Sequence, residues 1–468
     1  MKKIKLSTIL LIICLILSTI CLFQINKIGV LPFKYLLILI GIFLVINALV
    51  GILLFRKNKV CKVLGIIFGV IIILVNGIGI YYINSTNNFL DKAFSGKVIE
   101  STTYYVIAKK DNNYTEKDIK GDIYYYKNMA NSKKVVKLLK DDYELVFKEY
   151  ELINDMTKDL LENKIKFIVM EKTSYSIIKQ HDTELSNNTV ILKEINIKEE
   201  KKSSEVKGEA FNIYVVGTDF AGLNDFNMII SVNTQTKKIL LTSIPRDYHI
   251  EVAGMNGVKD NITYMSALGV DTSIKSLENF FDTKIDYYVK INTSSLVTLV
   301  DKIGGINYCS EHEFTTTHAM VLDTYNDSVG KKLYVKKGCQ HLNGIQTLTV
   351  ARERKNIPGS DLARQDNCRK IIIAIFSKLK SLDTVLNYND LLQSLSNSYE
   401  TTLSKETIQT LGKETLQANS KWEIMEQAVN GVDVIGYVHL NTVRDYTMEP
   451  NMNSVDSAIK NIDKIVGD

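Results

Sequence analysis

The hydrophobic pattern of this chain changes character once, near Ile83. Before that point three long apolar runs follow one another, Leu6–Phe23, Tyr35–Phe55 and Val63–Ile83. Each is about the length that crosses a hydrocarbon core, and none carries a charged residue. Beyond Ile83 the apolar positions come in short strings separated by polar turns, as in a water-soluble α/β fold. Thr102–Ala108, Ile123–Tyr126, Tyr143–Phe147, Ile165–Met170 and Thr189–Ile195 read as strands. Ser132–Leu139, Tyr150–Glu162 and Ser174–Gln180 read as helices between them. Lys198–Glu209 is charged, contains serines and has no large apolar residue except Val206, the composition of a linker.

From Ala210 onward one continuous strand and helix pattern runs to Asp468. It begins with three apolar strings, FNIYVVGTD from Phe211, FNMIISVN from Phe226 and ILLTSIPRD from Ile239. A helix over Asp271–Phe281, a strand over Asp286–Asn292 and a helix over Ser295–Ile303 stopped by Gly304-Gly305 come next. Ile306–Cys309 and Lys332–Val335 read as strands around a polar loop. After Leu342-Asn343-Gly344 the pattern predicts a short helix, a strand ending Ala351-Arg352-Glu353-Arg354, and a long apolar helix to Leu379. The predicted organisation is a three-span membrane anchor (1–83), a small α/β accessory domain (84–197), a linker (198–209) and a larger α/β domain (210–468).

Charge adds an orientation. Lys2, Lys3 and Lys5 precede the first run and Arg56, Lys57, Lys59 and Lys62 separate the second from the third, whereas Lys27 and Lys34 alone lie between the first two. The positive-inside rule then predicts a cytoplasmic N-terminus and everything after Ile83 outside the cell membrane. The first run lacks a small-residue cleavage site and is read as a retained span, not a signal peptide. Asn47 and Asn76 are read as helix-packing residues. The net charge of +5 is modest, and no basic helix or aromatic RNA motif is present, so nucleic acid is not an expected partner. Six cysteines without a CxxC and six scattered histidines argue against a zinc site.

Candidate chemistry gathers where strands run out. Asp219 and the Arg246-Asp247 pair follow apolar strings, and Asp225 ends the polar loop between the first two strings; strand ends are the place where ligands collect in α/β sheets. The alternative is that these acids merely open turns. Arg352 and Arg354, two apart on the predicted strand, would point to one side. Asp361 stands three residues before Arg364 at the start of the long helix, whose N-terminus suits an anion. Arginines brought together need something negative among them, and a phosphate or pyrophosphate meets that need through bidentate bonds. A surface salt-bridge cluster using Glu353 and Asp361 is the competing reading. The accessory tyrosines, Tyr124, Tyr125 and Tyr126 among them, read as ordinary strand residues, with a sugar-stacking surface as the alternative.

These spaced motifs, together with LVTLVDKIGGI at 296–306, GCQHLNG at 338–344 and the ending around Met448–Asn453, resemble the LytR–CpsA–Psr family over about Ala210–Asp468. The three spans and accessory domain are similar to its capsule-associated members in Gram-positive bacteria. The resemblance implies a central mixed sheet flanked by helices, with an apolar tunnel for a lipid tail. It implies a phosphotransferase that moves a teichoic acid, capsule or related glycopolymer from polyprenyl pyrophosphate to peptidoglycan through a phosphodiester. Carried over, Asp219 and Asp225 would hold Mg²⁺, and Arg246, Arg352, Arg354 and Arg364 would grip the pyrophosphate. Asp361 would orient Arg364 or help remove a proton from the acceptor hydroxyl. Two departures stand out: Leu223 occupies the place of an arginine, and Asn367 and Cys368 replace an Arg-Gln pair, with Arg369 a partial substitute. They keep open a non-catalytic protein that binds the lipid or regulates the envelope polymer-synthesis machinery, and also a lipid pyrophosphatase. Cys309 and Cys339 fall on segments expected to be neighbours; free thiols are the expected state, and a disulfide depends on their separation.

Overall fold

The structure, a computed structural model, describes residues 6–94, 97–202, 209–219, 221–322, 329–379, 399–417, 422–439 and 443–467. The three apolar runs are helices α1 (Leu6–Ile28), α2 (Phe33–Phe55) and α3 (Lys59–Ala93), the last extending beyond Ile83. All three are long and apolar enough to cross a membrane. They close on small residues: a side chain at Gly65 would collide with the Leu53–Leu54 turn, and one at Gly69 with Leu10. Asn47 bonds between helices, its Nδ2 donating to Ser18 Oγ at 3.0 Å, whereas Asn76 bonds within its own helix to the Ile72 carbonyl. A later helix, Lys405–Gln417, belongs to the same compact unit. Gln409 Nε2 donates to the Ile28 carbonyl at 2.8 Å, and Lys405 pairs with Asp91.

The second compact unit contains two sheets. The first is built from β1 (Lys97–Lys109), β2 (Gly121–Tyr126), β3 (Leu145–Tyr150), β4 (Phe167–Glu171) and β5 (Thr189–Lys202), in the order β3-β2-β4-β1-β5. Helices α4 (Ser132–Asp142), α5 (Ile153–Leu161), α6 (Lys172–His181) and α7 (Thr183–Asn188) connect and cover it. Its core is closed, with Tyr104, Val106, Ile107, Ile123, Met156 and Leu160 fully buried. The segment expected to be a linker starts as structure: β5 stays paired with β1 down to Lys97↔Lys202, and residues 203–208 lie outside the described residues.

The second sheet holds β6 (Ala210–Thr218), β7 (Asn224–Asn233) and β8 (Lys238–Ile244), the three apolar strings of the sequence. The short β9 (His249–Glu251) and β10 (Lys259–Asn261) pair with each other, and α8 (Ile262–Met265) and α9 (Val270–Phe281) lead into β11 (Tyr287–Asn292). Then come α10 (Thr293–Lys302), β12 (Ile306–Ser310), β13 (Phe314–Ala319), β14 (Lys332–Val335), β15 (Gly338–Leu342), α11 (Gly344–Ala351) and α12 (Ser360–Leu379). β16 (Tyr399–Thr401) and β17 (Glu423–Ala428) complete a sheet ordered β16-β11-β6-β7-β8-β17. It is mixed: β11 runs parallel to β6 and β17 parallel to β8, and the other pairs are antiparallel. The hairpin β18 (Gly431–Val438) and β19 (Val443–Pro450) precedes the last helix, Met452–Val466.

On one face of the six-stranded sheet, Tyr214, Val216 and Ile229 pack with Leu277 and Phe281 of α9 and with Val455 and Ala458 of the last helix. Val98 of β1 is buried in the same cluster, and Met255, Val258 and Leu268 pack against the accessory core. The two sheets of this unit therefore share apolar surface. The expectation of free thiols at Cys309 and Cys339 is corrected: β12 and β15 pair antiparallel with these residues directly opposite, and they form a disulfide. Sequence spacing alone could not reveal that register.

Candidate functional site

The hairpin between β6 and β7 is a closed turn built by its first acid. Asp219 Oδ1 accepts the backbone N–H groups of Ala221 at 2.8 Å and Leu223 at 2.9 Å. The Asp219 N–H returns the connection by donating to the Leu223 carbonyl at 3.0 Å. Asp219 is thus a turn residue, as its position after a strand allows. It is also more. Burial and the neighbouring Asp225 carboxylate push its pKa up to about 6, against the pull of the two N–H groups and Arg246.

Asp225 sits one residue into β7 and pairs with Arg246, which follows the end of β8. Arg246 Nε lies 3.4 Å from the carboxylate of its neighbour, the buried Asp247. Arg364, buried in the second turn of α12, brings Nη1 to 4.0 Å from the same Asp225 oxygen. Two arginines from distant segments thus converge on one carboxylate. Such a grouping, largely withdrawn from water, has local attraction strong enough to hold its geometry.

The ARER segment differs from its expected form. Ala351 ends a helix, Arg352 caps it in a helical conformation, and Glu353 and Arg354 are loop. The two arginines therefore do not share a strand face. The reason is local: Asn343 and Gln346 form a capping box that starts α11, and the apolar positions after it follow a helical repeat. Arg352 donates from Nη1 to the Val321 carbonyl at 3.1 Å. Arg354 is half-buried on the loop and is not among the residues lining the cavity described below. Glu353 was a candidate salt-bridge partner; it is instead the organiser of this loop. Fully buried, it accepts the Thr317 N–H and hydroxyl and the N–H groups of Lys355 and Asn356. Burial alone would raise its pKa, but these donors together hold it below the usual carboxylate range. Asp361 falls in the first turn of α12, and its side chain lies outside the described residues.

The departures from the family pattern also find places. Leu223 is buried in an apolar cluster with Ala221, Ile177, Tyr264, Ala267 and Val438. Asn367 accepts the Tyr308 hydroxyl at 2.6 Å and so ties α12 to β12. Arg369 pairs with Glu426 and Asp366 and is not among the residues lining the cavity described below. Cys368 lies on the cavity wall.

That cavity occupies the second face of the six-stranded sheet. It encloses about 790 Å³ of empty space, counting the part open to solvent. Its walls are apolar: Val215 and Phe226 from the sheet, Leu296 and Leu299 from α10, Leu348 from α11, and Ile371, Ile372 and Ile375 from α12. Asp225, Arg352 and Arg364 are the charged residues among those lining it. An apolar space with arginines among the residues of its wall suits an amphiphile with an anionic head.

No group of three or more acids, histidines or cysteines suited to a metal is present among the described residues. Asp219 and Asp225 are two carboxylates close enough to perturb each other. Two acids give a hard divalent cation part of an oxygen shell, and phosphate oxygens would complete it. The residues present therefore fit Mg²⁺ brought together with a phosphate ligand.

Comparison with known proteins gives a consistent result. Residues 172–457 match the profile of the LytR_cpsA_psr family. A polyisoprenyl-teichoic acid–peptidoglycan teichoic acid transferase TagU of Bacillus cereus (strain AH820) is 30% identical over 227 residues, covering 46% of this chain and 70% of its own. The TagU of Bacillus subtilis (strain 168) is 32% identical over 212 residues, covering 44% of this chain and 64% of its own. Among solved structures, B. subtilis TagV aligns with a TM-score of 0.45 at 24% identity, over 56% of this chain and 98% of that one.

Proposed function

The chain belongs to the LytR–CpsA–Psr family, and on that footing we propose that it transfers a glycopolymer from a polyprenyl-pyrophosphate carrier to peptidoglycan. The observation that carries this reading is the apolar cavity with Arg352, Arg364 and Asp225 on its wall. The apolar walls would take the prenyl chain. Arg246, Arg352 and Arg364 would meet the pyrophosphate, and Arg354 sits on the adjoining loop.

In this reading a hydroxyl of peptidoglycan attacks the phosphorus that bears the polymer. A new P–O bond forms, the bridging P–O bond of the pyrophosphate breaks, and polyprenyl phosphate departs with the electron pair. The hydroxyl proton must go to a base, and by family resemblance Asp361 is the candidate. Charge on the leaving phosphate grows as the bridge breaks, so arginines fixed beforehand lower the barrier without reorganising. Asp225 fixes Arg246 and faces Arg364, holding both forks before substrate arrives. Asp219 and Asp225 would hold Mg²⁺, whose contribution when bound is to draw charge from the phosphate oxygens.

We further propose that the two sheets lie outside the cell membrane. The lysines and arginines flanking the spans support this orientation. So does the Cys309–Cys339 disulfide, a bond that persists in oxidising compartments. The spans keep the protein in the bilayer that also holds its donor. A second reading, lipid binding without turnover, draws on Leu223 and Cys368, which put apolar groups where the family pattern carries charge or amide.

Incubating the purified full chain with a lipid-linked oligosaccharide, a peptidoglycan acceptor and Mg²⁺ tests the proposal. Product should form and should be lost in Arg246→Ala and Asp225→Ala. Tight lipid binding without turnover would favour the second reading, and release of free phosphorylated oligosaccharide to water would indicate a pyrophosphatase.

A further inference from the structure

The Asp219–Asp225 hairpin has a neighbour that the proposed chemistry does not use. Helix α6 of the accessory sheet lies against it. Ile177, fully buried, packs in one cluster with Ala221 and Leu223, and Leu223 is 7% exposed. Thr173 Oγ1 donates to the Ala221 carbonyl at 3.3 Å. At Gly222, where φ is +89°, a Cβ would stand 3.1 Å from that same hydroxyl, so the turn and the helix are in close contact. The helix is itself pinned at this end, because Glu171 accepts the Ser174 N–H at 2.9 Å.

The two sets of contacts meet on the same residues. The N–H groups of Ala221 and Leu223 are the ones bound by Asp219, while their side chains, and the Ala221 carbonyl, are the ones held by α6. Two residues after Leu223 comes Asp225, the partner of Arg246 and Arg364. A leucine cannot give a phosphate the bonds that an arginine would. Here its apolar side chain reaches away from the charged group, into the pocket formed by Ile177, Tyr264, Ala267 and Val438. Removing that side chain from water costs nothing that charge would cost, and it fixes the backbone of the turn.

We propose that α6 is a positioning element for the acidic turn, with Ile177 and Thr173 as positioning residues and Leu223 as the plug they hold. The accessory sheet then sets the separation and direction of Asp219 and Asp225. Misplacing such groups by about 1 Å is enough to lower a rate by about a hundredfold. The inference rests on reading Asp219 and Asp225 as groups of the transferase site.

Hydrogen exchange of the full chain in nanodiscs tests it independently of turnover. In Ile177→Ser and in Thr173→Val, amides within 219–225 should exchange about tenfold faster or more, while those of β11 stay protected as in the wild type. Transfer by the same variants should lose kcat by about ten- to a hundredfold with little change in KM for the lipid donor, since the cavity wall is untouched. Ile177→Leu and Thr173→Ser should restore both readouts. Unchanged exchange in the turn of a folded Thr173→Val and Ile177→Ser would overturn the proposal, as would a loss that follows global melting alone. If the wild type shows no transfer, the functional reading falls, and the exchange result alone decides whether α6 holds the turn.

Discussion

The two sheets of the second compact unit place charge in different surroundings. In the five-stranded sheet the pairs Lys127–Glu151 and Lys148–Asp122 lie at the rim, and the buried acids Glu100 and Glu171 stand beside a filled apolar core. In the six-stranded sheet Asp247, Glu353 and Arg364 are buried, and one face opens into a cavity instead of a filled core. Rim pairs contribute about 0–1 kcal/mol each and report little beyond solubility. Buried charges are costly unless held, so a fold that keeps several beside an empty apolar space has a use for them. The difference teaches where to look for chemistry. The accessory sheet is built as a support, and the larger sheet is built around a site.

The contact between them is where the comparison can be broken most sharply. Leu223→Arg, which installs the residue the family pattern would place there, should not raise transfer above that of wild type. It forces a cation into the Ile177–Tyr264 cluster and should cost about 2–4 kcal/mol, read as a lowered melting temperature of the full chain. A variant as stable as wild type and faster in transfer would show that the cluster is not closed as described. Next in size, Leu299→Trp narrows the cavity from α10 and should raise KM for long prenyl donors about tenfold, with short-chain donors less affected. An equal effect on both would remove the cavity from the account.

The smallest effect falls on the support side. Burial raises the Glu171 pKa from the usual 4.5 to about 7, against the bonds from Ser174 and Thr173. The folded chain therefore holds this proton more tightly than the unfolded chain, and its contribution to stability is full below about pH 4.5 and is lost as the pH rises towards 7. Glu171→Gln keeps an acceptor for the Ser174 N–H and removes the titration. Its melting temperature should vary less between pH 4.5 and 7 than that of wild type, and it should be more stable above pH 7 by about 1–3 kcal/mol. Parallel pH curves for the two proteins would contradict this.

Much of this arrangement was legible in the residues. Val- and Ile-rich strings marked β6, β7 and β8, and acids or an Arg-Asp pair at their ends marked the charged group that Asp225, Arg246 and Arg364 form. What could not be read came from long-range register. Arg352 and Arg354 suit a strand as well as a loop in isolation, and the capping box at Asn343 decided for helix. Glu353 looked like a partner for its flanking arginines until Thr317, 36 residues away in sequence, claimed its carboxylate. Leu223 was legible as a departure, but its partner Ile177 lies on helix α6 beside the other sheet, and no local pattern links them. The disulfide was hidden for the same reason, since pairing of β12 with β15 is a property of the folded hairpin.

The central claim is that the cavity holds a prenyl chain whose pyrophosphate meets the arginines. A polyprenyl pyrophosphate carrying a diazirine in its tail, photolysed with the full chain in nanodiscs and mapped by mass spectrometry, tests it directly. Labels are expected on the cavity wall, at Leu296, Leu299, Ile371 or Ile375, with competition by unlabelled polyprenyl pyrophosphate and loss of labelling in Arg364→Ala. Labels confined to the three membrane spans, or wall labelling indifferent to the pyrophosphate and to Arg364, would contradict the account.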